Sequence, residues 1–317
     1  MKKIFFFLLL FSSFDALFAQ QLPLFTQYRD YQSLLNPASI SSDFMLNTYK
    51  ISAGTSMRLQ WVGAANNPKT QVLHAEWVTR PENTFSFITG GYLMNDQTGR
   101  TGATSAYGRI AGYFSGNPKN EGFAAGLNIG AVQYRLDASQ SRLWDADDRL
   151  FGTSQQQILP DVSVGIFGYR SLTNDEDNIL YGGLSVPQVL GLNFQLKTEL
   201  GKGYAIKRIP HYYGQIGFYH FLTAESFIEV SSWLRYVKNV PLDADFNIRY
   251  QLQEYIWLGV GFSTSKILHA EFGCLLGQLF ELDNRDVKIG YGYDYSFSSI
   301  APFFGASHEI NLTFLMR

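Results

Sequence analysis

The sequence predicts an all-β protein, a single transmembrane antiparallel β-barrel of about 14 strands. The clearest sign is the segment 287–297, VKIGYGYDYSF, in which apolar or aromatic residues alternate with glycine or polar residues. This period of two puts the large apolar side chains on one face of an extended strand. Because that face is rich in Tyr and Phe while the other carries Gly and charge, the pattern indicates lipid outside and a wet or filled lumen inside.

The composition agrees with this fold class. Aromatic residues make up 16% of the chain, and charged residues also make up only 16%. Soluble domains carry ~25% charged residues. The net charge of −2 gives no electrostatic support to nucleic-acid binding,.

The first residues, MKKIFFFLLLFSSFDALFAQ, predict a secretory signal peptide at 1–19,. A membrane-anchoring helix is the alternative, but its apolar run is too short for a membrane core of ~30 Å. Residues 20–46 follow as an N-terminal periplasmic segment, which we expect at the periplasmic mouth of the barrel or inside its lumen. Within it, Asn36-Pro37 favours a turn,. Residues 47–317 make up the barrel.

Strand-like segments follow one another along the barrel region at hairpin spacing. In chain order they are 47–58, 70–79, 84–94, 104–115, 122–136, 160–170, 179–189, 211–222, 226–237, 242–252, 255–264, 267–280, 287–298 and 307–316. In 255–264, for example, Ile256, Leu258, Val260 and Phe262 form the apolar series.

The connections between these segments sort into two sets. With both termini in the periplasm, the periplasmic turns are the short connections 80–83, 116–121, 171–178, 223–225, 253–254 and 281–286,. The other set contains the long connections 59–69, 137–159 and 190–210, which we expect outside the cell. In a soluble β-sandwich, nothing requires the short and the long loops to lie at opposite ends.

The phase of each strand assigns side chains to the two faces. The inward charges either form salt bridges that seal the lumen or line a pore, and the sequence leaves both open: Lys50, Arg58, Asp245, Arg249, Lys288 and Asp294. Aromatic belts near strand ends are assigned to Trp61, Trp77, Trp233, Tyr293 and Tyr295. Cys274 is in phase with Leu268 and Phe272, which predicts that it faces lipid.

The sequence contains no catalytic, cofactor-binding or metal-binding pattern. None of the five His has metal-ligand spacing, and a single Cys excludes both an internal disulfide and a Cys-based metal site,. Ser307, His308 and Glu309 suggest a catalytic triad, but adjacent strand residues point to opposite faces. The acidic segment SRLWDADDRL lacks the ligand spacing and the Gly of a Ca²⁺ loop, so a solvated loop is favoured over a Ca²⁺ site,. We therefore predict a non-enzymatic protein without a cofactor.

Seven blocks of the sequence together carry a family resemblance. In order they are QLPLFTQYRDYQSLLNPASIS, RLQWVGAANNPKT, VQYRLDASQSRLWDADD, LYGGLSVPQVLG, HYYGQIGFY, SWLRYVKNVPLDADFNIRY and VKIGYGYDYSFSSIAPFFGASHEINL. In combination they resemble the PorP/SprF family of type IX secretion system outer-membrane proteins, over essentially the whole mature chain.

The resemblance implies a non-enzymatic barrel in the cell outer membrane that works with other type IX secretion proteins. In one branch of this family the barrel binds the periplasmic secretion ring. The other branch comprises paralogues dedicated to the export or surface attachment of a large adhesin, as in gliding motility. No residue of the sequence separates the two branches.

A barrel without catalytic groups is expected to act through its surfaces. The outer surface consists of the long loops, where Trp61 and Trp144 are aromatic anchors, and the inner surface consists of 21–44 and the periplasmic turns. The candidate partner-binding residues are Trp61, Trp144, Asp145, Asp147, Asp148, Asn36 and Pro37. We favour the adhesin role, with the secreted adhesin, type IX secretion proteins and outer-membrane lipid as partners. The alternative is an outer-membrane transport barrel, either a porin or a carrier of hydrophobic molecules.

Overall fold

Most strands of the structure are long. The structure is a computed structural model. It describes residues 25–47, 49–79, 84–118, 120–137, 154–172, 178–197, 203–206, 208–253, 255–277, 284–298 and 301–317. The predicted signal peptide 1–19 lies outside the described residues.

The described chain contains sixteen strands and several short helices. The strands are β1 (Ile51–Leu59), β2 (Lys69–Thr79), β3 (Phe85–Thr98), β4 (Thr101–Phe114), β5 (Glu121–Leu136), β6 (Gln155–Ser171), β7 (Asn178–Val186), β8 (Phe194–Lys197), β9 (Gly203–Ile206), β10 (His211–Thr223), β11 (Ser226–Val237), β12 (Asp243–Leu252), β13 (Ile256–Ser263), β14 (Ile267–Leu275), β15 (Arg285–Ser296) and β16 (Ser307–Met316). The helices are a 3-10 helix (Tyr28–Tyr31), α1 (Gln32–Leu35), α2 (Ser42–Asn47) and α3 (Ala301–Phe304).

Fourteen of these strands form one closed antiparallel barrel. Each strand pairs with its sequence neighbour, except that β7 pairs with β10, and β1 closes the barrel against β16. The register at this seam runs from Ile51 opposite Met316 to Leu59 opposite His308. The pair β8–β9 forms a separate two-stranded sheet. Closure satisfies the backbone groups that an open edge would leave unpaired in lipid, and the predicted fold class is confirmed.

The alternation of side chains explains why these segments form a barrel wall. In β13, Leu258 and Val260 are 59% and 60% exposed on the outer face, whereas Trp257, next to Leu258, is fully buried on the inner face. In β15, Lys288 and Asp294 point inward and are buried. Cys274 follows the outward series of β14, as predicted.

The two ends of the barrel differ. The start of β1, the end of β16 and the short connections 224–225 and 253–255 lie at one end, here called the turn end. The opposite end, here called the loop end, carries the longest connections, 137–154 and 187–210.

Some predicted boundaries were wrong. Residues 155–159 belong to β6 and not to a loop, because they continue the pairing with β5 as far as Leu136. The first strand begins at Ile51 rather than at residue 47, since α2 occupies Ser42–Asn47. The region predicted as the loop 190–210 contains the hairpin β8–β9, whose strands of four residues are too short to show alternation.

Trp233 was assigned wrongly to an aromatic belt. Its side chain points into the lumen and is 1% exposed, because Trp233 pairs with inward-facing Asp245 and Gln215 on the flanking strands. Trp77 and Tyr295 do face outward, with 54% and 47% exposure.

The core of the barrel is the segment 25–47, here called the plug. It lies inside the lumen as the 3-10 helix, α1 and α2, and all of its residues from Tyr31 to Ile40 are buried. Its apolar side chains pack in two clusters against the inner wall, one around Tyr31 and Trp233 and one around Ile40 and Phe167. Of the two positions predicted for the N-terminal segment, the lumen is the one observed. Within the described residues, no helix is long and apolar enough to cross a membrane.

A charge on the lipid-facing wall should destabilise the barrel in a depth-dependent way. Val260→Arg, at the middle of β13, is expected to lower the free energy of unfolding by ~2–4 kcal/mol, and Leu252→Arg, at the turn end of β12, by only ~0–1 kcal/mol. Denaturant unfolding in lipid vesicles measures both. Equal losses at the two positions would contradict the placement of the membrane around the strands.

Candidate functional site

The plug is anchored first at the seam where β1 meets β16. The backbone N–H groups of Thr26 and Gln27 donate to the Glu309 carboxylate, at 2.8 and 3.2 Å. The Thr26 hydroxyl donates to Asp294 at 2.8 Å. Arg58 of β1 forms salt bridges with Asp294 and, at 3.2 Å, with Glu309. All five residues are buried, so first strand, last strands and plug share one charge cluster.

Asp294 links this cluster to a second pair of charges on the inner wall. His269 lies between Asp294 and Asp245, with one ring nitrogen 2.8 Å from each carboxylate. Asp245 in turn binds the Arg235 guanidinium at 2.7 Å. The inward charges are therefore connected across β11, β12, β14 and β15 rather than spread around an open pore.

Arg29 is the cation that the plug presents to the wall. Its guanidinium binds Glu271 and lies 3.3 Å from Glu229, and it also donates to the Ser231 hydroxyl at 3.2 Å. Burial by itself lowers the pKa of Arg29, but the acidic groups around it, Glu229 first, together more than offset this and keep the pKa raised. Glu229 and Glu271 thus obtain their counter-charge from a residue far away in sequence.

Lys288 of β15 reverses this arrangement, because here the wall supplies the cation. Its ammonium lies 2.7 Å from Asp30 and 2.7 Å from Asp43, both in the plug. Burial raises the pKa of the Asp30 carboxyl, but the Lys288 ammonium and then Arg249 outweigh burial, and the pKa lies below its ordinary value. These two ion pairs attach both the 3-10 helix and α2 to β15.

The turn around Asn36 and Pro37 is bound by the opposite wall. Arg109 of β4 donates to the carbonyl oxygens of Pro37, at 2.8 Å, and Ser39, and it pairs with Glu76 at 2.7 Å. The Asn36 amide donates to the Ile166 carbonyl at 3.0 Å. The closest passage is at Gly165, where a Cβ would lie 2.1 Å from the Asn36 side-chain oxygen, so only glycine fits.

Aromatic rings fill the space between these polar anchors. Trp233 lies between Tyr28 of the plug and Tyr213 of β10, with ring centroids 5.4 Å from each, and the Arg235 guanidinium lies 4.3 Å from the Trp233 ring. Such ring pairs contribute ~0.5–1.5 kcal/mol beyond the area they bury. The belt residue that was assigned wrongly is therefore a plug contact.

The connection between β7 and β10 folds over the lumen at the loop end. Arg208 is buried and binds Asp161 of β6 at 2.7 Å. Phe194 of β8 packs on Tyr134 of β5, with ring centroids 6.0 Å apart. The loop end is thus partly covered above the plug by the described residues of this connection.

No arrangement for chemistry is found among the described residues. They contain no cluster of His, Cys, Asp or Glu that could hold a metal ion. Ser307 and Glu309 point inward, whereas His308 faces the other side and is 2.6 Å from the Tyr291 hydroxyl. As predicted, these three residues do not form a triad.

The predicted partner-binding residues are found in different places. Trp61 lies in the connection between β1 and β2, half-buried against Phe304, with ring centroids 5.6 Å apart. Asn36 and Pro37 are buried in the lumen as parts of the plug. Trp144, Asp145, Asp147 and Asp148 lie outside the described residues.

Most residues of the wall that contact the plug were not predicted from the sequence. Glu229, Glu271, Arg109 and Glu309 were not among the predicted inward charges, although each lies on an inward phase of its strand. The available signal was the number of charges on inward positions, together with a preceding segment, FTQYRDYQSLLNPAS, rich in aromatic and hydrogen-bonding residues.

Known proteins resemble the chain in sequence and in fold. A family model described as "Type IX secretion system membrane protein PorP/SprF" matches residues 17–314. No curated protein matches the chain. Among solved structures, the CymD monoaromatic hydrocarbon channel is similar with 8% identity over 89% of this chain and 94% of that chain, with a TM-score of 0.55. The Ralstonia pickettii toluene transporter TbuX is similar with 10% identity over 90% and 92% of the two chains, also with a TM-score of 0.55. At these identities the likeness shows the fold alone.

Removal of Arg58, the cation at the seam between β1 and β16, should loosen the plug. Arg58→Ala leaves the buried Asp294 and Glu309 without their guanidinium and is expected to lower the free energy of unfolding by ~3–5 kcal/mol. The matched control is Arg170→Ala, since Arg170 is 78% exposed and 4.0 Å from Glu121, and such surface pairs contribute ~0–1 kcal/mol. Denaturant unfolding and protease access to the plug measure the difference. Equal behaviour of the two variants would refute the anchoring role of Arg58.

Proposed function

Because the chain belongs to the PorP/SprF family of type IX secretion system membrane proteins, we propose that it is a plugged, non-enzymatic adaptor that retains an exported adhesin at the cell surface. The family and the closed barrel give the coarser statement directly: the chain is an outer-membrane component of the type IX secretion system. The role of an adhesin adaptor is the proposal.

The observation that carries the proposal is the plug inside the lumen. Its described residues are bound by salt bridges from β11, β14 and β15 and by a hydrogen bond from Arg58 of β1, and its aromatic side chains pack against the wall. A barrel filled in this way has its inner surface occupied. Its remaining means of action are the surfaces at its two ends.

The loop end is the better supported of these two surfaces. The long connections lie there, with Trp61 among them, and in an outer-membrane barrel long loops face outside. Most of the described part of the N-terminal segment is buried against the wall, and only a few residues of it, among them 41–43 and Leu46 just before β1 at the turn end, are partly exposed. This arrangement favours a partner outside the cell over the periplasmic secretion ring.

The alternative function is transport of small or hydrophobic molecules. The solved structures with a similar fold include hydrocarbon channels, but their identity to this chain is too low to carry over what they transport. The plug and the cover at the loop end both oppose a continuous water path. The family match supports a function in secretion and gives no support to a porin function.

Conductance separates the adaptor from a transport barrel. The intact protein in planar bilayers is expected to show no steady channel steps, because the plug occupies the lumen. Deletion of 20–47 serves as the positive control, since water can then hydrate the wall charges and ions can enter. Steady conductance of the intact protein would favour the transport function.

Shortening the long loop at 137–154 tests the adhesin role in cells. Replacement of residues 140–151 with a two-residue turn is expected to release the adhesin into the medium, while the amount of assembled barrel stays the same. The matched control shortens the connection at the turn end, 173–177, and should leave the adhesin on the surface. Immunoblots of cells and medium measure both. An unchanged surface adhesin, with loss of all secretion after deletion of 20–47, would assign the chain to the secretion ring instead.

A further inference from the structure

One strand of the barrel is much longer than the neighbour on one of its sides. β6 pairs with β5 along nearly its whole length, from Gln155 opposite Leu136 to Arg170 opposite Glu121. Its pairing with β7 begins only at Val164, opposite Val186. Within the described part of the chain, residues 155–163 therefore have a strand on one side only. This portion lies at the loop end.

The backbone hydrogen bonds show which residues face the open side. At the turn end of β6, the Ser171 N–H donates to Asn120 on the β5 side, and the Leu172 N–H donates to Asn178 on the β7 side. Antiparallel pairing alternates along a strand, so even-numbered residues of β6 direct their N–H and C=O groups away from β5. Val162 agrees with this, because its carbonyl accepts from the Val189 N–H at 2.9 Å.

Val162 also marks where the open side ends. Its N–H donates to the Asp161 carboxylate at 2.9 Å, so both of its backbone groups have partners. Among the described residues, no backbone partner is found for the N–H and C=O of Gln156 and Ile158 or for the C=O of Pro160, and these are the open groups. We call residues 156–160 the β6 edge. Gln156, Ile158 and Pro160 are all exposed, and Ile158 is 66% exposed.

Within the described residues, the hairpin β8–β9 does not pair with this edge. Its contact with β6 is the Gln195 N–H, which donates to the side chain of Gln157 at 2.8 Å. Gln157 has the inward phase of Leu159 and Asp161, both of which are buried. β8 therefore lies on the inner side of the wall, over the plug, and not beside the strand.

We propose that the β6 edge binds an extended segment of the exported partner, which adds to the barrel wall as one further strand outside the membrane. The proposal rests on the proposed function, since it names the contact by which the adhesin would be held. Alternating donors and acceptors at strand spacing match an extended polypeptide backbone. In the proposed function the partner lies on the outer side of the membrane, where the loop end is, and the uncharged side chains Gln156 and Ile158 set no charge requirement on it.

Pro160 also limits the number of backbone groups that the β6 edge offers to a partner. Pro lacks an N–H and natural edge strands use it to stop uncontrolled pairing. Gln156 and Ile158 therefore have both backbone groups, N–H and C=O, open to a partner, and Pro160 has only its carbonyl open. Such a short ladder binds weakly on its own, so it needs the neighbouring loops to contribute contacts to the same partner.

The alternation of β6 provides a test that separates backbone from side-chain recognition. Ile158→Pro removes an N–H that faces the open side and leaves the bonds to β5 intact, whereas Ile158→Ala removes the side chain and keeps that N–H. The partner is defined as the exported protein that leaves the cell surface when the gene for this chain is deleted. Ile158→Pro is expected to reduce its surface amount by about fivefold, the effect of one net hydrogen bond, and Ile158→Ala to leave it near the original level. Assembly of each variant is checked by heat-modifiable migration on gels.

A photo-crosslinking amino acid in place of Gln156 identifies the neighbour in the same cells. Crosslinking to the exported partner, lost in Ile158→Pro, supports strand addition. Crosslinking to a second copy of this chain, or equal retention in the proline and alanine variants, overturns it. If gene deletion releases no exported protein, the proposed function itself fails. If gene deletion releases a partner but Ile158→Pro does not, only the strand-addition contact fails.

Discussion

The lumen charges require counter-charges, because an unpaired ion in a space closed to water costs several kcal/mol. The wall alone does not provide them: Glu229 and Glu271 are matched by Arg29, and Lys288 is matched by Asp30 and Asp43. A ring of fourteen strands also encloses more room than its own side chains fill. The plug meets both needs at once, so the position of the plug, the polarity of the inner wall and the closed state of the barrel depend on the same ion pairs.

The wall was predictable from sequence because its signal is local. Alternation over eight or more residues located all the barrel strands, and the inward phase of Arg58, Lys288 and Asp294 was assigned correctly. Trp233 was misplaced because a tryptophan near a strand end suits a membrane interface as well as a lumen. The hairpin β8–β9 was missed because four residues per strand carry too little periodicity.

The location of the plug was left open for a different physical reason. Its partners are far away in the chain: Thr26 binds Glu309, and Arg29 binds Glu271. No short-range pattern encodes such pairs, and the helices involved, Gln32–Leu35 and Ser42–Asn47, are too short to show a helical period. The overall fold tolerates nearly complete sequence change, since barrels with 8–10% identity share it. What is particular to this chain is therefore the content of the lumen and the loop end, where function is proposed.

The seam cluster has a consequence for biogenesis. Glu309 is on the last strand and Arg58 on the first, and both bind Thr26, which is made before either strand. The plug can consequently take its final contacts at the seam only when β16 meets β1. Insertion into the membrane and filling of the lumen thus become a single terminal event. A truncated chain has neither the last strand nor the acceptor for its plug, so quality control could recognise it by an exposed N-terminal segment.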